Sequence, residues 1–214
     1  MATMLTIDVV SDVVCPWCYV GKKRLEVALA ARNDIAPEIR WRPFFLDPTV
    51  PRAGKPRIDY ITGKFGGVDK ITPGHQRLAG LGKQIGIDFN FEAIEVQPNT
   101  LDAHRLIGWA TAEGKADALV DSLFTGFFVK GENLADRAVL ADLAARAGMD
   151  SKKVAAALAS NQDEELVAKQ AQAASASGIG GVPFFVFGGK VAVSGAQESE
   201  VLSSAIDQAL AAGA

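Results

Sequence analysis

The sequence predicts an α/β fold: a small mixed sheet with helices on both faces, interrupted by a large all-helical insertion. Three observations predict it. Short β-rich segments lie near both ends of the chain. Helix-period apolar stripes fill much of the middle. The strand-bearing segments flank that middle on both sides, so it reads as an insertion and not as a separate domain. The expected boundaries are 1–46 and 164–214 for the discontinuous sheet-bearing domain, and 47–163 for the helical insertion.

The elements follow in order. Leu5, Ile7 and Val9 alternate with Thr6, Asp8 and Val10, which predicts a strand over Leu5–Val10. A helical pattern comes next, with Cys18, Gly21, Leu25, Ala28 and Leu29 spaced by three and four. Pro16 suits its first turn, where a missing N–H costs nothing. Pro37 breaks the pattern, and "IRWRPF" (Ile39–Phe44) is the second strand. Between Asp47 and Pro98 the chain is rich in Pro and Gly, with short helices predicted at Asp59–Phe65 and His75–Ile85. From Leu101 helices follow one another. Leu119, Val120, Leu123, Phe124 and Phe127 form one buried stripe. Leu140, Leu143, Ala144 and Ala147 form a second, and Val154 with Leu158 a third. Gly131, Gly148 and Asn161 punctuate them. A helix over Glu164–Ser177 leads into "GIGGVPFFVFGG". There Phe184–Phe187 suits a buried strand, Gly188-Gly189 a two-residue hairpin turn, and Lys190–Ser194 the returning strand. Ser194 is the expected cap of a last helix that buries Leu202, Ala205, Ile206, Ala209 and Leu210.

Bulk properties narrow the class. A chain of 214 residues, 49% hydrophobic, supports one sizeable core or a core carrying an insertion. The net charge of -3 offers no electrostatic footprint for nucleic acid. No apolar run approaches the roughly 18 residues that span a bilayer. The first lysine is Lys22, and Asp8 and Asp12 interrupt the N-terminal apolar stretch, so a cytoplasmic location is expected. In that compartment a stable structural disulfide is unusual, and a CxxC pair points to redox or metal chemistry.

The chain's two cysteines stand in "CPWC", Cys15-Pro16-Trp17-Cys18, between the first strand and the first helix. Unpaired N–H groups and the macrodipole at a helix start favour a thiolate. Lowering a thiol from about 8.5 to about 7 takes roughly 2 kcal/mol, within reach of such a site plus one hydrogen bond from a second thiol. Cys15 is thus the expected nucleophile. Cys18, a turn further on and less exposed, is the expected resolving thiol. A structural zinc wants four ligands, and only His75 and His104 remain, in separate segments, so no metal site is expected. Val182-Pro183 at the head of the Phe184 strand is a candidate cis bond. It would turn the Val182 N–H and C=O toward an extended substrate. Trp17 is expected to project beside Cys15 as an apolar lip, while Phe44, Phe45, Phe65 and Phe127 divide between that cleft and the core. Neither Asp8 nor Asp12 can be singled out as a proton relay.

"CPWC" after a strand, with "GVPFF" in an α-β-β-α tail, resembles a thioredoxin fold with a helical insertion, as in the DsbA-like thiol–disulfide oxidoreductases. "SDVVCPWCYVGKK" (Ser11–Lys23), "NTLDAHRL" (Asn99–Leu106), "GIGGVPFFVF" (Gly178–Phe187) and "VSGAQ" (Val193–Gln197) are similar to the FrnE branch, related to polyketide-biosynthesis dithiol–disulfide isomerases. The resemblance implies that Cys15 attacks and Cys18 resolves, that Pro183 is a cis-proline packed on Cys15, and that Val182 presents backbone to substrate. It implies that Pro16, Trp17, Asn99 and His104 shape the active site; from the residues alone, Asn99 reads equally as a helix cap and His104 as a partly buried core histidine. It implies a disulfide-containing protein or a small molecule as substrate, with no bound cofactor and glutathione as a possible redox partner. Sister families, the 2-hydroxychromene-2-carboxylate isomerases and kappa-class transferases, use glutathione on the same topology but tend to carry Ser in place of Cys15. That makes a glutathione-dependent isomerase or transferase the alternative reading. No histidine lies between the cysteines, so the motif does not set the redox direction, and no exposed apolar stripe in the sequence sets an oligomeric state.

Overall fold

The computed structural model describes residues 2–30 and 32–213. The expected domain ends, residues 1 and 214, and residue 31 lie outside the described residues. The chain divides into two compact units, residues 1–44 with 169–214 and residues 45–168. These limits stand a few residues from the expected 46/47 and 163/164. Phe44 belongs with the sheet because its N–H donates to the Ser11 carbonyl at 3.1 Å.

The first unit holds a four-stranded mixed sheet in the order β2-β1-β5-β6, with β1 Thr3–Ser11, β2 Ile35–Pro43, β5 Phe184–Phe187 and β6 Val191–Ser194. β1 runs parallel to β2, with Ile7 opposite Ile39, and antiparallel to β5, with Val9 opposite Phe185. The predicted strands are longer in the structure at β1 and β2. The helical pattern is over before Pro37, as expected; β2 starts at Ile35, ahead of the expected Ile39, and so takes in Pro37, opposite Leu5. β2 is an edge strand, where a missing N–H is tolerated. Gly188 and Gly189 turn β5 into β6 with φ of 57° and 68°, the paired positive values a two-residue hairpin needs.

Leu5, Ile7, Val9, Phe185 and Phe187 point to one face. There they meet Leu25 and Ala28 of α1 (Pro16–Ala30) and Leu202, Ala205, Ile206 and Ala209 of α9 (Ser199–Ala211). The period-2 and period-3.6 patterns thus close on one core. Ser194 does not cap α9. It ends β6, and Glu198 occupies the cap position after a turn through Gly195, whose φ is 81°.

The second unit is helical apart from a two-residue antiparallel pairing, β3 (Lys55–Pro56) with β4 (Val96–Gln97). Its helices are α2 (Arg57–Phe65), α3 (Val68–Gln84), α4 (Leu101–Ala112), α5 (Ala116–Phe128), α6 (Arg137–Arg146) and α7 (Ser151–Ala159). The stripe Leu119, Val120, Leu123, Phe124 and Phe127 is wholly buried. α6 and α7 start on Asp136 and Asp150, whose carboxylates accept backbone N–H groups of the first turn. α8 (Glu164–Ala176) begins in this unit and continues into the first. No helix among the described residues is long and apolar enough to cross a membrane.

A buried guanidinium ties the helical unit together. Arg105 of α4 is fully buried. It donates to the Gln162, Ala157 and Ser160 carbonyls at 2.6, 3.0 and 2.8 Å and to Asp102 at 2.6 Å. Two of those carbonyls, of Ala157 and Ser160, lie at the end of α7, where the intrahelical ladder runs out. Removing a buried charge's partner strands the others, so Arg105→Met should lower stability by about 3 kcal/mol or more. Urea unfolding followed by circular dichroism measures this; a midpoint within error of the parent would refute it.

Candidate active site

β1 delivers the chain to the site. Cys15 N–H donates to the Asp12 carbonyl at 3.0 Å, and the Cys15 carbonyl accepts from Cys18 N–H at 3.0 Å and Tyr19 N–H at 3.4 Å. Cys15 is therefore the last residue before α1, and its carbonyl starts the helical ladder. Pro16 opens the helix without leaving a donor orphaned. Both thiols are free and buried, Cys15 at 4% exposure and Cys18 at 2%. The expected contrast in exposure is thus slight. Environment separates them instead.

The Cys15 thiol donates to the Val182 carbonyl, with Sγ 3.5 Å from the oxygen. The Val182-Pro183 peptide bond is cis. Pro183 is anchored in turn, since its carbonyl accepts from Gly195 N–H at 2.8 Å. Burial pushes the Cys18 thiol well above its ordinary value. The hydrogen bond and charge of Cys15 add to that shift, while the Ser11 side chain and the Asp12 backbone oppose it. Trp17, between the two cysteines in sequence, is 46% exposed.

Two residues outside the motif set this geometry. A Cβ on Gly21 would lie 2.8 Å from Pro183 Cγ and 3.1 Å from Phe185 Cζ, so α1 approaches the Val182-Pro183 segment at a distance only glycine permits. One turn later, Arg24 reaches the segment after β6, donating to the Ala196 carbonyl at 2.5 Å and pairing with Glu198. Gly21 was visible in the sequence as a member of the helical stripe. Arg24 gave no sequence signal, because a lone arginine on an apolar-periodic helix reads as surface.

Asn99 and His104 belong to the helical unit. Asn99 accepts from Leu101 N–H at 3.0 Å and donates to the Val50 carbonyl at 2.7 Å, which fixes the start of α4. His104 is buried, with its ring 5.6 Å from that of Phe45. Phe127 is core, and Phe65 is half-exposed, edge-on to Tyr60. Asp8 pairs with Arg42 at 2.6 Å on the sheet, whereas Asp12 is buried beside the motif and takes part in it through its backbone. Among the described residues, no cluster of three or more His, Cys, Asp or Glu is placed to hold a metal ion.

A thioredoxin-like sheet, a dithiol at the start of the helix that follows β1, and the carbonyl of Val182, the residue before a cis-proline, facing the first thiol define the class of thioredoxin-fold thiol–disulfide enzymes. Within that class, the chain belongs to the DSBA-like thioredoxin domain family, whose model matches residues 6–207. The crystal structure of a probable DsbA oxidoreductase from Streptomyces coelicolor is similar, with a TM-score of 0.87 and 33% identity. The match covers 97% of this chain and 90% of that one. The cytosolic disulfide reductase DsbM from Pseudomonas aeruginosa, in a structure with GSH, shares the fold at a TM-score of 0.64 and 17% identity, covering 96% of each chain. By sequence, the uncharacterized protein YwbO of Bacillus subtilis (strain 168) is 28% identical over 202 residues, 94% of each protein.

Two outcomes follow from the geometry. Gly21→Ala gains about 1 kcal/mol of helix propensity but forces a methyl onto a rigid proline ring, a cost of about 1–3 kcal/mol. The net expected is a lower urea midpoint and slower reaction of Cys15 with a disulfide; equal midpoint and rate would show that α1 can retreat freely. The raised Cys18 thiol has a sign as well. An unfolded Cys18 ionises near 9.0 and the folded one later, so the reduced protein should lose stability as pH rises above 9.0. Cys18→Ala should flatten that decline in urea titrations at pH 8 and 10. An identical decline in the variant would assign it to other groups.

Proposed function

We propose that the chain is a thiol–disulfide oxidoreductase or isomerase in which Cys15 attacks and Cys18 resolves. The observation that carries this reading is the pairing of two free thiols at the start of α1 with the Val182 carbonyl 3.5 Å from the first. Cys15 thiolate attacks one sulfur of a disulfide, the other sulfur leaves as a thiolate, and a mixed disulfide forms on Cys15. Cys18 gives up its proton and attacks Cys15 Sγ. The substrate's second sulfur leaves, and Cys15–Cys18 becomes the disulfide. Two electrons pass from the enzyme pair to the substrate, and the oxidised pair runs the same steps in reverse.

The backbone of Val182 and the exposed Trp17 supply the surface on which an extended disulfide-bearing segment or a small disulfide rests, with Pro16 and Pro183 holding the turn and the facing loop. The resemblance extends the site to Asn99 and His104, although their contacts account for both side chains without a substrate. Assignment to the FrnE branch rests on the four motifs around Cys15, Asn99, Val182 and Val193. The likeness to DsbM, solved with GSH, supports glutathione as the thiol that resets the pair and a cytosolic setting. An intact Cys15–Cys18 pair favours exchange over the glutathione-dependent isomerase or transferase reading.

Trapping tests the assignment. Cys18→Ser, incubated with oxidised glutathione or a disulfide-bonded protein, should accumulate a mixed disulfide on Cys15, seen by mass spectrometry. Cys15→Ser should lose insulin-reductase activity by about 10³-fold or more, as expected when a nucleophile is removed. No trapped adduct, together with full activity in Cys15→Ser, would end this reading.

A further inference from the structure

The helical unit contains a cavity of about 560 Å³ bounded by α2, α3 and the segment 89–94. Its walls are largely apolar, with Ile61, Ile71, Phe89 and Phe91 among them. Its size and lining are those of sites that hold small organic molecules. Phe89 and Phe91 stack with centroids 5.0 Å apart, and His75 stacks on the other side of Phe91 at 4.0 Å with an interplanar angle of 10°. Three flat rings in series form one wall.

Arg57, the first residue of α2, supplies the cavity's positive charge. Its environment is incomplete. Nη1 donates to Gln97 Oε1, a neutral acceptor, and the guanidinium lies 5.9 Å from the Tyr60 ring centroid. Nε is buried without an acceptor. No carboxylate among the described residues pairs with Arg57, and Glu92, which also lines the cavity, stands exposed at its rim. Elsewhere in the chain this same guanidinium edge is filled. Arg32 places Nε and Nη2 on Asp34 at 2.8 Å each, and Arg40 places them on Glu38 at 2.9 and 3.0 Å. A partly buried cation without a counter-charge is costly, and burial indeed draws the Arg57 pKa down. Burial and the charge of Arg57 hold His75 below its ordinary value too, leaving at neutral pH an uncharged ring with an N–H to donate.

We propose that this cavity binds a small apolar monocarboxylate, with the carboxylate on the Arg57 guanidinium and the apolar body against Phe91 and the isoleucines. A planar aromatic acid matches the stacked wall best. Arg57 selects the anion and the wall selects the body, so the site discriminates against neutral hydrophobes and against inorganic anions. The thiol pair takes no part in it.

The test is titration calorimetry on the reduced full-length protein with 2-naphthoate, its neutral analogue 2-naphthalenemethanol, and inorganic phosphate. Naphthoate should bind one site. The alcohol should bind about tenfold or more weakly, the loss expected when a hydrogen bond to a charged group is removed. Phosphate should bind weakly or not at all. Arg57→Met should weaken naphthoate by about tenfold or more, Arg57→Lys by less, since the point charge remains without the fork. Phe91→Leu should weaken naphthoate while leaving the acid-over-alcohol ratio intact. No naphthoate heat at millimolar concentration, equal affinity for acid and alcohol, phosphate binding as tightly as naphthoate, or unaltered binding in Arg57→Met would each overturn the proposal. Should Arg57→Met fail to fold by circular dichroism, the acid–alcohol comparison on the unaltered protein decides.

Discussion

The thiol site depends on how closely α1 can approach the loop that carries Pro183. Gly21 is where they meet, and the missing Cβ leaves Pro183 Cγ in van der Waals contact with the helix itself. That contact fixes the depth at which α1 sits on the sheet. Depth in turn fixes where its first residue falls, and so sets the 3.5 Å separation of Cys15 Sγ from the Val182 carbonyl. The partners on either side are rigid. β5 pairs with β1 from Phe184 to Phe187, and the Gly195–Pro183 hydrogen bond adds to its hold on the end of the loop. Arg24 then clips α1 to Ala196 and Glu198. A redox centre built this way needs few polar groups of its own, because backbone placement supplies the acceptor.

Two arginines of the helical unit, Arg105 and Arg57, show the same physics with opposite outcomes. Arg105 is wholly out of water, yet carbonyls at the end of α7, the Gln162 carbonyl, Asp102 and the Trp109 ring surround it. Desolvation is offset bond by bond, and the group serves as a structural tie. Arg57 has one amide and one aromatic face, with the remaining edge unfilled. Within one small unit the first arrangement explains itself as architecture. The second leaves a cation without a counter-charge beside an apolar cavity, the combination on which the proposed acid site rests.

Periodicity made most of the fold legible. Leu5, Ile7 and Val9 at period two, and Leu119 through Phe127 at helical spacing, occupy the core in the faces their spacing implies. Misread points share a cause. The second strand starts at Ile35 and not at Ile39, with Pro37 inside it; an edge strand tolerates proline, and whether a strand is an edge is a property of the whole sheet. Ser194 has the chemistry of a cap, yet Gly195 turns the chain before the helix begins. For the site, CPWC and Val182-Pro183 were legible because each is a compact signature next to a strand. Arg24 and Arg105 were not. Their roles come from carbonyls far away in sequence, up to 172 positions for Arg24, and no local pattern encodes that.

The environment of Cys18 gives the proposed exchange its order. Burial raises its thiol, and so does the charge of Cys15, while Ser11 and the Asp12 backbone pull the other way. These are coupled groups, so the state of one thiol decides the state of the other. While Cys15 is anionic, Cys18 is held protonated and does not compete as a nucleophile. Once Cys15 enters a mixed disulfide its charge is gone. One contribution to the raised value vanishes, and the two groups that favour the Cys18 anion remain. In the proposed exchange, forming the mixed disulfide removes the part of the shift that the Cys15 charge supplies, while burial of Cys18 continues to raise it. A CxxC spacing alone cannot produce that sequence of events; it arises because the second cysteine lies in a buried setting that responds to the charge on the first.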